Sequence, residues 1–278
     1  MTSPIVTTEW LAAHLDDPRV KIIEVSAKNE EAEYHNGHIP GAVRFYWKDL
    51  CWHETDRQMI TPAELAERLG DVGIGDSDTL VLYGDPVQYG TYGFWALTMA
   101  GHPDLKLLDG TRTKWTAEGR PMTTDVPQTT PVAYAPHQGD VSMRLGRNAI
   151  RDNLGMAGRL ILDVRSPEEY SGERVMSYGQ FDHGAERAGR IPGAAHLFFK
   201  EFFNDDDTFK DADEIRRAFG ALSIDPGNFE EIVCYCRLSH RATLAWTAMT
   251  HVLGYTGAKI YDGSWTEWGS IVGFPVEK

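Results

Sequence analysis

The feature that most constrains the fold of this chain is an internal duplication. The segment GHIPGA at Gly37–Ala42 recurs as GRIPGA at Gly189–Ala194. The segment LDGTRTKW at Leu108–Trp115 recurs at nearly the same offset as YDGSWTEW at Tyr261–Trp268. Solenoid repeats are about 20 to 50 residues long, so copies spaced this widely are whole domains. The 278 residues, 42% of them hydrophobic, are enough to build two cores, and we predict two domains of the same fold.

The boundary between the copies is marked by composition. The stretch 119–138 is rich in Pro and Thr and includes Pro121, Pro127, Pro131 and Pro136. Proline lacks the backbone N–H donor and has a fixed φ, so this stretch cannot form a regular helix. Its composition predicts an extended linker. We place the first domain at residues 1–124, the linker at 125–143 and the second domain at 144–278.

Within each copy, short apolar runs alternate with helical stretches. The runs typical of buried strands are Val20–Val25, Thr79–Tyr83, Leu160–Val164 and Glu231–Tyr235. The helical stretches include Thr61–Leu69, which begins with a capping residue and a proline, and its counterpart Asp211–Phe219. This alternation predicts an α/β fold in which each domain is a parallel sheet flanked by helices on both faces.

Composition narrows the partners and the compartment. The net charge of −14 opposes nonspecific binding to nucleic acid or to an anionic membrane. No run of about 18 apolar residues is present to cross a bilayer, and the first 15 residues lack the basic and apolar regions of a signal peptide. The three cysteines are an odd number without framework spacing, as in a reducing compartment. We therefore expect a cytoplasmic protein without nucleic-acid or membrane partners.

One cysteine has a distinctive environment. Cys236 stands directly after a predicted strand and shortly before a helix-compatible stretch, Thr243–Leu253, closed by Gly254. Ligand sites of parallel sheets lie at the carboxyl ends of strands, and the N-terminus of a following helix favours an anion. The basic or ionisable residues Arg237, His240 and Arg241 add positive charge. These features favour the thiolate of Cys236 and predict a nucleophile.

Other roles of the cysteines fit the sequence less well. A lone cysteine at a strand end is usually a packing residue, but a cluster of cationic groups has no packing purpose. Cys234 is expected to face the core with Ile232, and a disulfide between Cys234 and Cys236 has poor strand geometry. The spacing does not fit a metal site, and Cys51 lies in the other domain. At the equivalent place in the first copy stands Asp85, so only the second copy carries the thiol.

Together these motifs resemble the tandem-domain rhodaneses, or thiosulfate sulfurtransferases. The resemblance rests on the duplicated GxIPGA motif, the run DVRSPEEY at Asp163–Tyr170, the basic loop led by Cys236 and the run YDGSWTEWGS at Tyr261–Ser270. It covers nearly the whole chain. It implies two five-stranded rhodanese-like domains, an inactive first one with Asp85 in place of the catalytic cysteine and a catalytic second one, with the active site facing the interdomain cleft.

The resemblance also implies a mechanism that requires no cofactor and no metal. The Cys236 thiolate attacks the outer sulfur of a small-molecule donor, sulfite leaves, and the resulting persulfide passes its sulfur to a thiophilic acceptor such as cyanide, a thiol or a thiol protein. The residues expected to hold the donor and the persulfide are those of the loop, Arg237, Leu238, Ser239, His240, Arg241 and Ala242.

The loop departs from both family patterns. Thiosulfate-type loops often carry Lys two residues after the Cys and a small hydroxyl residue five after it, where this chain has Leu238 and Arg241. Mercaptopyruvate-type loops are rich in Gly and Ser beside the Cys, unlike Arg237 and Leu238 here. We therefore favour thiosulfate as donor and keep 3-mercaptopyruvate as the alternative.

Two further classes remain open, a Cys-dependent phosphatase and a noncatalytic sulfur-binding module. Phosphatases of related fold use a Cys-x5-Arg loop, whereas Cys236 to Arg241 is Cys-x4-Arg. Three more cations in or beside an insertion at Glu173–Glu186 could reach the site or lie on a solvated face: Arg174, Arg187 and Arg190.

Several residues singled out by the repeat are expected to be structural. Asp163 and Arg165 are expected to pair, with each other or across the domains. The tryptophans of the repeated motif are expected to pack in the core or at an interface: Trp115, Trp265 and Trp268.

Overall fold

The structure is a computed structural model that describes residues 3–179 and 181–278. The chain divides into two compact units. The first ends at Val141 and also includes Asp205–Thr208, and the second consists of Ser142–Asn204 and Phe209–Lys278.

The first unit is built on a parallel sheet. Its strands are β1 (Ile5–Val6), β2 (Val20–Ser26), β3 (Ala42–Tyr46), β4 (Thr79–Asp85) and β5 (Leu105–Leu108). In the described part of the chain they form a five-stranded sheet in the order β1-β5-β4-β2-β3. Because all pairs are parallel, the carboxyl ends of β2 and β4 lie at the same edge, with Ser26 opposite Asp85.

Helices flank this sheet. They are α1 (Thr8–Ala13), α2 (Ala32–Asn36), α3 (Trp47–Cys51), α4 (Pro62–Asp71), α5 (Val87–Ala100) and α6 (Thr111–Ala117). The α4 helix begins where the sequence predicts, because Thr61 and Glu64 form a reciprocal capping box and Pro62 occupies the first turn. Its apolar face, which includes Leu65 and Leu69, is buried.

The second unit repeats this plan. Its strands are β6 (Arg144–Leu145), β7 (Arg159–Asp163), β8 (Ala195–His196), β9 (Glu231–Tyr235) and β10 (Ala258–Tyr261). In the described residues they form a five-stranded parallel sheet in the order β6-β10-β9-β7-β8, which is the order of the first unit. The helices are α7 (Arg147–Arg151), α8 (Pro167–Ser171), α9 (Ala212–Ala221), α10 (His240–Thr247) and α11 (Ser264–Trp268). Short 3-10 helices span Phe199–Phe202 and Pro226–Asn228, and a π-helix at Ala248–Val252 extends α10.

The predicted α/β fold class is confirmed, as is the duplication of the sheet. One boundary differs, because the helix expected from Thr243 begins at His240. Ser239, at its N-cap, has a left-handed φ of 70° and turns the chain from the loop directly into the helix. In the part of the chain that the structure describes, no helix is both long and apolar enough to traverse a membrane.

The segment predicted as a linker lies extended against the first unit up to Val141, and we call residues 125–141 the strap. The backbone N–H of Val132 donates to Gly70 O (3.0 Å), and that of Asp140 to Met99 O (2.8 Å). The Tyr134 hydroxyl lies 2.6 Å from His102 Nδ1. No helix or strand occurs between residues 125 and 143, all of which are described.

Candidate active site

Cys236 lies at the carboxyl end of β9, in the middle of the second sheet, between β10 and β7. Its main chain is fixed by the start of α11. The backbone N–H of Cys236 donates to Ser264 Oγ (3.2 Å), and its carbonyl accepts from the N–H of Trp265 (2.9 Å). The residue is 1% exposed, so its thiol sits at the base of the loop that follows.

That loop is held by a serine in an unusual conformation. Ser239 is fully buried with φ 70°, a region that non-glycine residues rarely occupy. Its hydroxyl donates to the backbone oxygen of Asp262, and its Oγ lies 3.1 Å from the Asp262 carboxylate. The same carboxylate pairs with Arg144 at 2.9 Å. These contacts compensate the strain and bring the first turn of α10, with N–H groups that lack intrahelical partners, next to Cys236.

Arg241, in the first turn of α10, is engaged by a buried carboxylate. Its two terminal nitrogens donate to the two oxygens of Glu169 at 2.7 and 2.9 Å. Burial alone would raise the pKa of Glu169, but the hydrogen bonds and charge of Arg241 outweigh it and lower that pKa to about 2. Glu169 is 0% exposed. The pair is therefore a charged, doubly bonded contact beside the loop.

Arg237 has a different environment. Its backbone carbonyl accepts from the N–H of Thr266 (3.0 Å), which anchors the loop to α11. Its guanidinium lies against the backbone of Gly184, where a Cβ would stand 2.7 Å from Nη1. Among residues 3–179 and 181–278, no carboxylate forms an ion pair with Arg237.

The remaining loop residues line the same turn. Leu238 is partly exposed, and its carbonyl accepts from the N–H of His240 (3.0 Å). His240 is 8% exposed, and its carbonyl accepts from the Thr243 hydroxyl (2.7 Å). Ala242 is buried against the core. The structure thus brings all the loop residues named from the sequence into one turn around Cys236.

Beneath the loop lies a fully buried ion pair. Arg165 binds the Asp163 carboxylate at 2.6 Å, with both side chains at 0% exposure. The Tyr235 hydroxyl also donates to that carboxylate (2.5 Å), and the Arg165 guanidinium stacks 4.6 Å from the ring of Trp265. The expected pairing of Asp163 with Arg165 is thus present within the second unit, and Trp265 packs in its core.

The three arginines in or beside the insertion have other partners in the second unit. Arg187 donates to backbone carbonyls at and after the end of α11, including those of Trp268 (3.1 Å) and Phe274 (2.7 Å). Arg190 pairs with Glu277. Arg174 donates to Met176 O (3.1 Å) and lies 5.1 Å from the Tyr178 ring.

The other cysteines are buried thiols. Cys234 is 0% exposed within β9, where burial raises its pKa well above the ordinary value. Cys51 is buried in α3 of the first unit. All three cysteines are free, so Cys234 and Cys236 form no disulfide. In the described residues no group of three or more His, Cys, Asp or Glu side chains is arranged to hold a metal ion.

Two residues of the site were not named from the sequence. Ser264 reaches Cys236 from 28 residues away, and Glu169 reaches Arg241 from 72 residues away. In the sequence Glu169 is the last residue of a Ser-Pro-Glu-Glu pattern typical of a capping box, and in the structure it performs that role at the N3 position by accepting from the Ser166 N–H (3.1 Å). The sequence signal that could have found Ser264 is the repeated Asp-Gly turn, which is followed by a hydroxyl residue in both copies, a threonine in the first and Ser264 in the second.

Comparison with known proteins agrees with this architecture. The model of the rhodanese-like domain family matches residues 7–118 and 147–271. The chain belongs to the rhodanese family, as two tandem domains, and is a sulfurtransferase of that family.

Named relatives span nearly the full length. The chain is 39% identical to the sulfur carrier protein TtuD of Thermus thermophilus, over 99% of this chain and 96% of that protein. It is 35% identical to a protein of Saccharopolyspora erythraea provisionally named thiosulfate sulfurtransferase, over 98% of this chain and 95% of the relative. Among solved structures, it resembles the anaerobic ergothioneine biosynthesis enzyme from Chlorobium limicola in complex with trimethyl histidine. That match has a TM-score of 0.83 and 25% identity, and covers 99% of this chain and 70% of the other.

Proposed function

We propose that the protein transfers the outer sulfur of thiosulfate to a thiophilic acceptor through a persulfide on Cys236. The observation that carries the proposal is the position of this thiol, at the end of a central strand and at the start of the turn that leads into α10, a turn that also carries Arg237 and Arg241. A following helix N-terminus and nearby cations stabilise a thiolate and a persulfide anion in the same way.

The two half-reactions balance without a cofactor. The Cys236 thiolate attacks the outer sulfur of thiosulfate, a sulfur–sulfur bond forms to Cys236, and the donor's bond breaks to release sulfite with its electron pair. An acceptor such as cyanide then attacks the outer sulfur of the persulfide and leaves as thiocyanate, which restores the thiolate. Arg237, which lacks a carboxylate partner among the described residues, is suited to bind the anionic donor and the departing sulfite.

The test is the intact mass of the reduced protein after thiosulfate, after 3-mercaptopyruvate and after subsequent cyanide. We expect the wild-type protein to gain one sulfur atom, to gain it faster from thiosulfate, and to lose it as thiocyanate. Cys236→Ser should gain none, and Cys51→Ala, which removes a buried thiol of the other unit, should behave as wild type. Loading of Cys236→Ser, or no loading of the wild type by either donor, would refute the proposal.

A second function is favoured by the relative named as a sulfur carrier protein. In that case the acceptor of the Cys236 sulfur is a protein, and the persulfide is stored rather than discharged to a small molecule. The loaded protein should then keep its sulfur in the presence of cyanide and small thiols and release it to a protein thiol. Rapid discharge to small thiols would favour the enzyme.

A further inference from the structure

The two arginines of the active-site loop differ in how their charge is balanced. Arg241 donates both terminal nitrogens to Glu169 at 2.7 and 2.9 Å. Arg237 pairs with no carboxylate in the described part of the chain, and its Nη1 lies against the backbone of Gly184. Of the two guanidinium groups of the loop, that of Arg241 is therefore neutralised by a carboxylate and that of Arg237 is not.

Glu169 is held in place by further hydrogen bonds and by burial. Its Oε2 also accepts from the N–H of Ser166 (3.1 Å) and from the hydroxyl of Ser177 (3.0 Å), and its side chain is fully buried. Arg241 is only 16% exposed. Burial would lower the pKa of Arg241, but the hydrogen bonds with Glu169 and the charges of Cys236 and Glu169 raise it. Both members of the pair are ionised at neutral pH.

Two other positive charges of the second unit are also matched by carboxylates. Arg165 is matched by Asp163 at 2.6 Å, and Arg144 by Asp262 at 2.9 Å. Arg237 thus supplies the uncompensated positive charge of the described loop. The electrostatic attraction of an anion grows with the positive charge of the site, and it grows twice as fast for a dianion as for a monoanion. A site with one uncompensated positive charge therefore prefers a dianion less strongly than a site with two.

We infer that Glu169 is a positioning residue that determines donor specificity. Glu169 holds Arg241 in place in the loop and neutralises its charge. This lowers the rate of sulfur loading from dianionic donors relative to the rate from monoanionic donors. The inference rests on the proposed persulfide chemistry of Cys236. It names the class of donor that this chain admits beside thiosulfate: sulfur donors that carry a single carboxylate. In 3-mercaptopyruvate the Cys236 thiolate attacks the sulfur, the carbon–sulfur bond breaks, and pyruvate leaves as its enolate, which then takes up a proton; in a persulfide the sulfur–sulfur bond breaks and a thiolate leaves.

The experiment measures the rate constants with which thiosulfate, a dianion, and 3-mercaptopyruvate, a monoanion, load sulfur onto Cys236. Glu169→Gln keeps the shape of the side chain and removes its charge, so the thiosulfate-to-mercaptopyruvate ratio should rise about fivefold at low salt. Arg241→Gln removes the opposite charge, so the ratio should fall by about the same factor. The double variant should return close to the wild-type ratio. Glu168→Gln, on the neighbouring and partly exposed residue, should leave it unchanged.

A purely structural role for Glu169 predicts a different pattern, in which both donors slow equally and the ratio stays constant. Raising the salt to about 1 M should leave most of the opposite shifts in the two single variants in place, because the Arg241–Glu169 pair is buried and buried charges are screened much less than exposed ones. If Glu169→Gln does not fold, as judged by circular dichroism, Arg241→Gln still reports the charge effect with the opposite sign. Loading of the wild type with unchanged ratios in the folded variants overturns the inference alone. Failure of the wild type to load from either donor overturns the proposed function and the inference with it.

Discussion

The two units share one frame around the end of the central strand and differ in the group placed there. In the first unit the Tyr83 hydroxyl donates to the buried Glu24 at 2.5 Å, and in the second Tyr235 donates to Asp163 at 2.5 Å. The frame is thus retained in both copies. The proposed nucleophile directly follows the tyrosine of the frame in the second unit, whereas in the first unit the tyrosine is followed by Gly84 and then by Asp85.

The difference lies in which element delivers the positive charge. In the first unit Arg112, from the first turn of α6, pairs with Asp85 at the strand end. In the second unit the corresponding position of α11 is Trp265, and the cation comes instead from Arg165, which stacks on that ring. The first unit therefore closes its strand end with an ion pair, whereas the second leaves a thiol there with cations around it. The same fold thus carries an ion pair at one strand end and a free thiol at the other.

The largest effect is expected from substitutions of the residues at the two strand ends. Cys236→Ser should lower sulfur loading by a factor of about 1,000 or more, because no other side chain of the loop is a comparable nucleophile. Asp85→Cys in that background should not restore it, since the first loop lacks the arginines that follow Cys236. Intact mass after thiosulfate measures both. Sulfur gained at residue 85 would show that a strand-end thiol suffices without the loop.

A second comparison sets the two cations against each other in stability. Arg165→Met leaves the Asp163 carboxylate buried without its partner, and loss of one member of such a pair costs about 3–5 kcal/mol of unfolding free energy. Arg112→Met should cost about 1 kcal/mol, because Asp85 is 32% exposed and can be hydrated. Urea denaturation followed by tryptophan fluorescence measures the two changes. Equal losses of unfolding free energy would contradict the conclusion that the Arg165–Asp163 pair is fully buried and the Arg112–Asp85 pair is partly hydrated.

A finer comparison concerns two buried glutamates with opposite pH dependence. The pKa of Glu169 is lowered to about 2, so its contribution to stability is present above about pH 4.5 and is lost as the pH falls toward 2. Burial raises the pKa of Glu24, despite the Tyr83 hydrogen bond and the charge of Arg112, so its contribution is present below about pH 4.5 and is lost as the pH rises through the shifted value.

Unfolding free energies of the wild type, Glu169→Gln and Glu24→Gln measured between about pH 2 and pH 7 check these directions. Glu169→Gln should flatten the acid limb, which for a shift of this size amounts to on the order of 3 kcal/mol. Glu24→Gln should instead flatten the decline toward neutral pH. The same slope change in both variants would contradict the opposite shifts.

Much of the fold was predictable from the sequence because the same domain occurs twice in the chain. The strands at Val20–Val25 and Glu231–Tyr235 were predicted from apolar runs, and β9 has the predicted bounds. Capping chemistry located the start of α4 for the same local reason. The early start of α10 was not predictable, because a serine in the left-handed region is uncommon and its stabilising contact with Asp262 comes from another strand end.

The candidate site divides in the same way. Residues 236–242 are contiguous, so their chemistry could be read directly from the sequence. Glu169 and Ser264 join the loop only after the sheet has placed α8 and α11 at the same edge, and no local spacing encodes that. Arg187 shows the converse, since a cation that looked available in the sequence donates to backbone carbonyls at the end of α11.

The strap has a consequence for how the first unit can be separated from the second. Its N–H groups at Val132 and Asp140 bond to backbone carbonyls of Gly70 and Met99, and Gly101 leaves room for it, since a Cβ there would lie 2.6 Å from Gln138 O. A fragment that stops at residue 124 would leave these surfaces uncovered and its own ends frayed. The portable module, for expression alone or for exchange between relatives, therefore extends to about Val141.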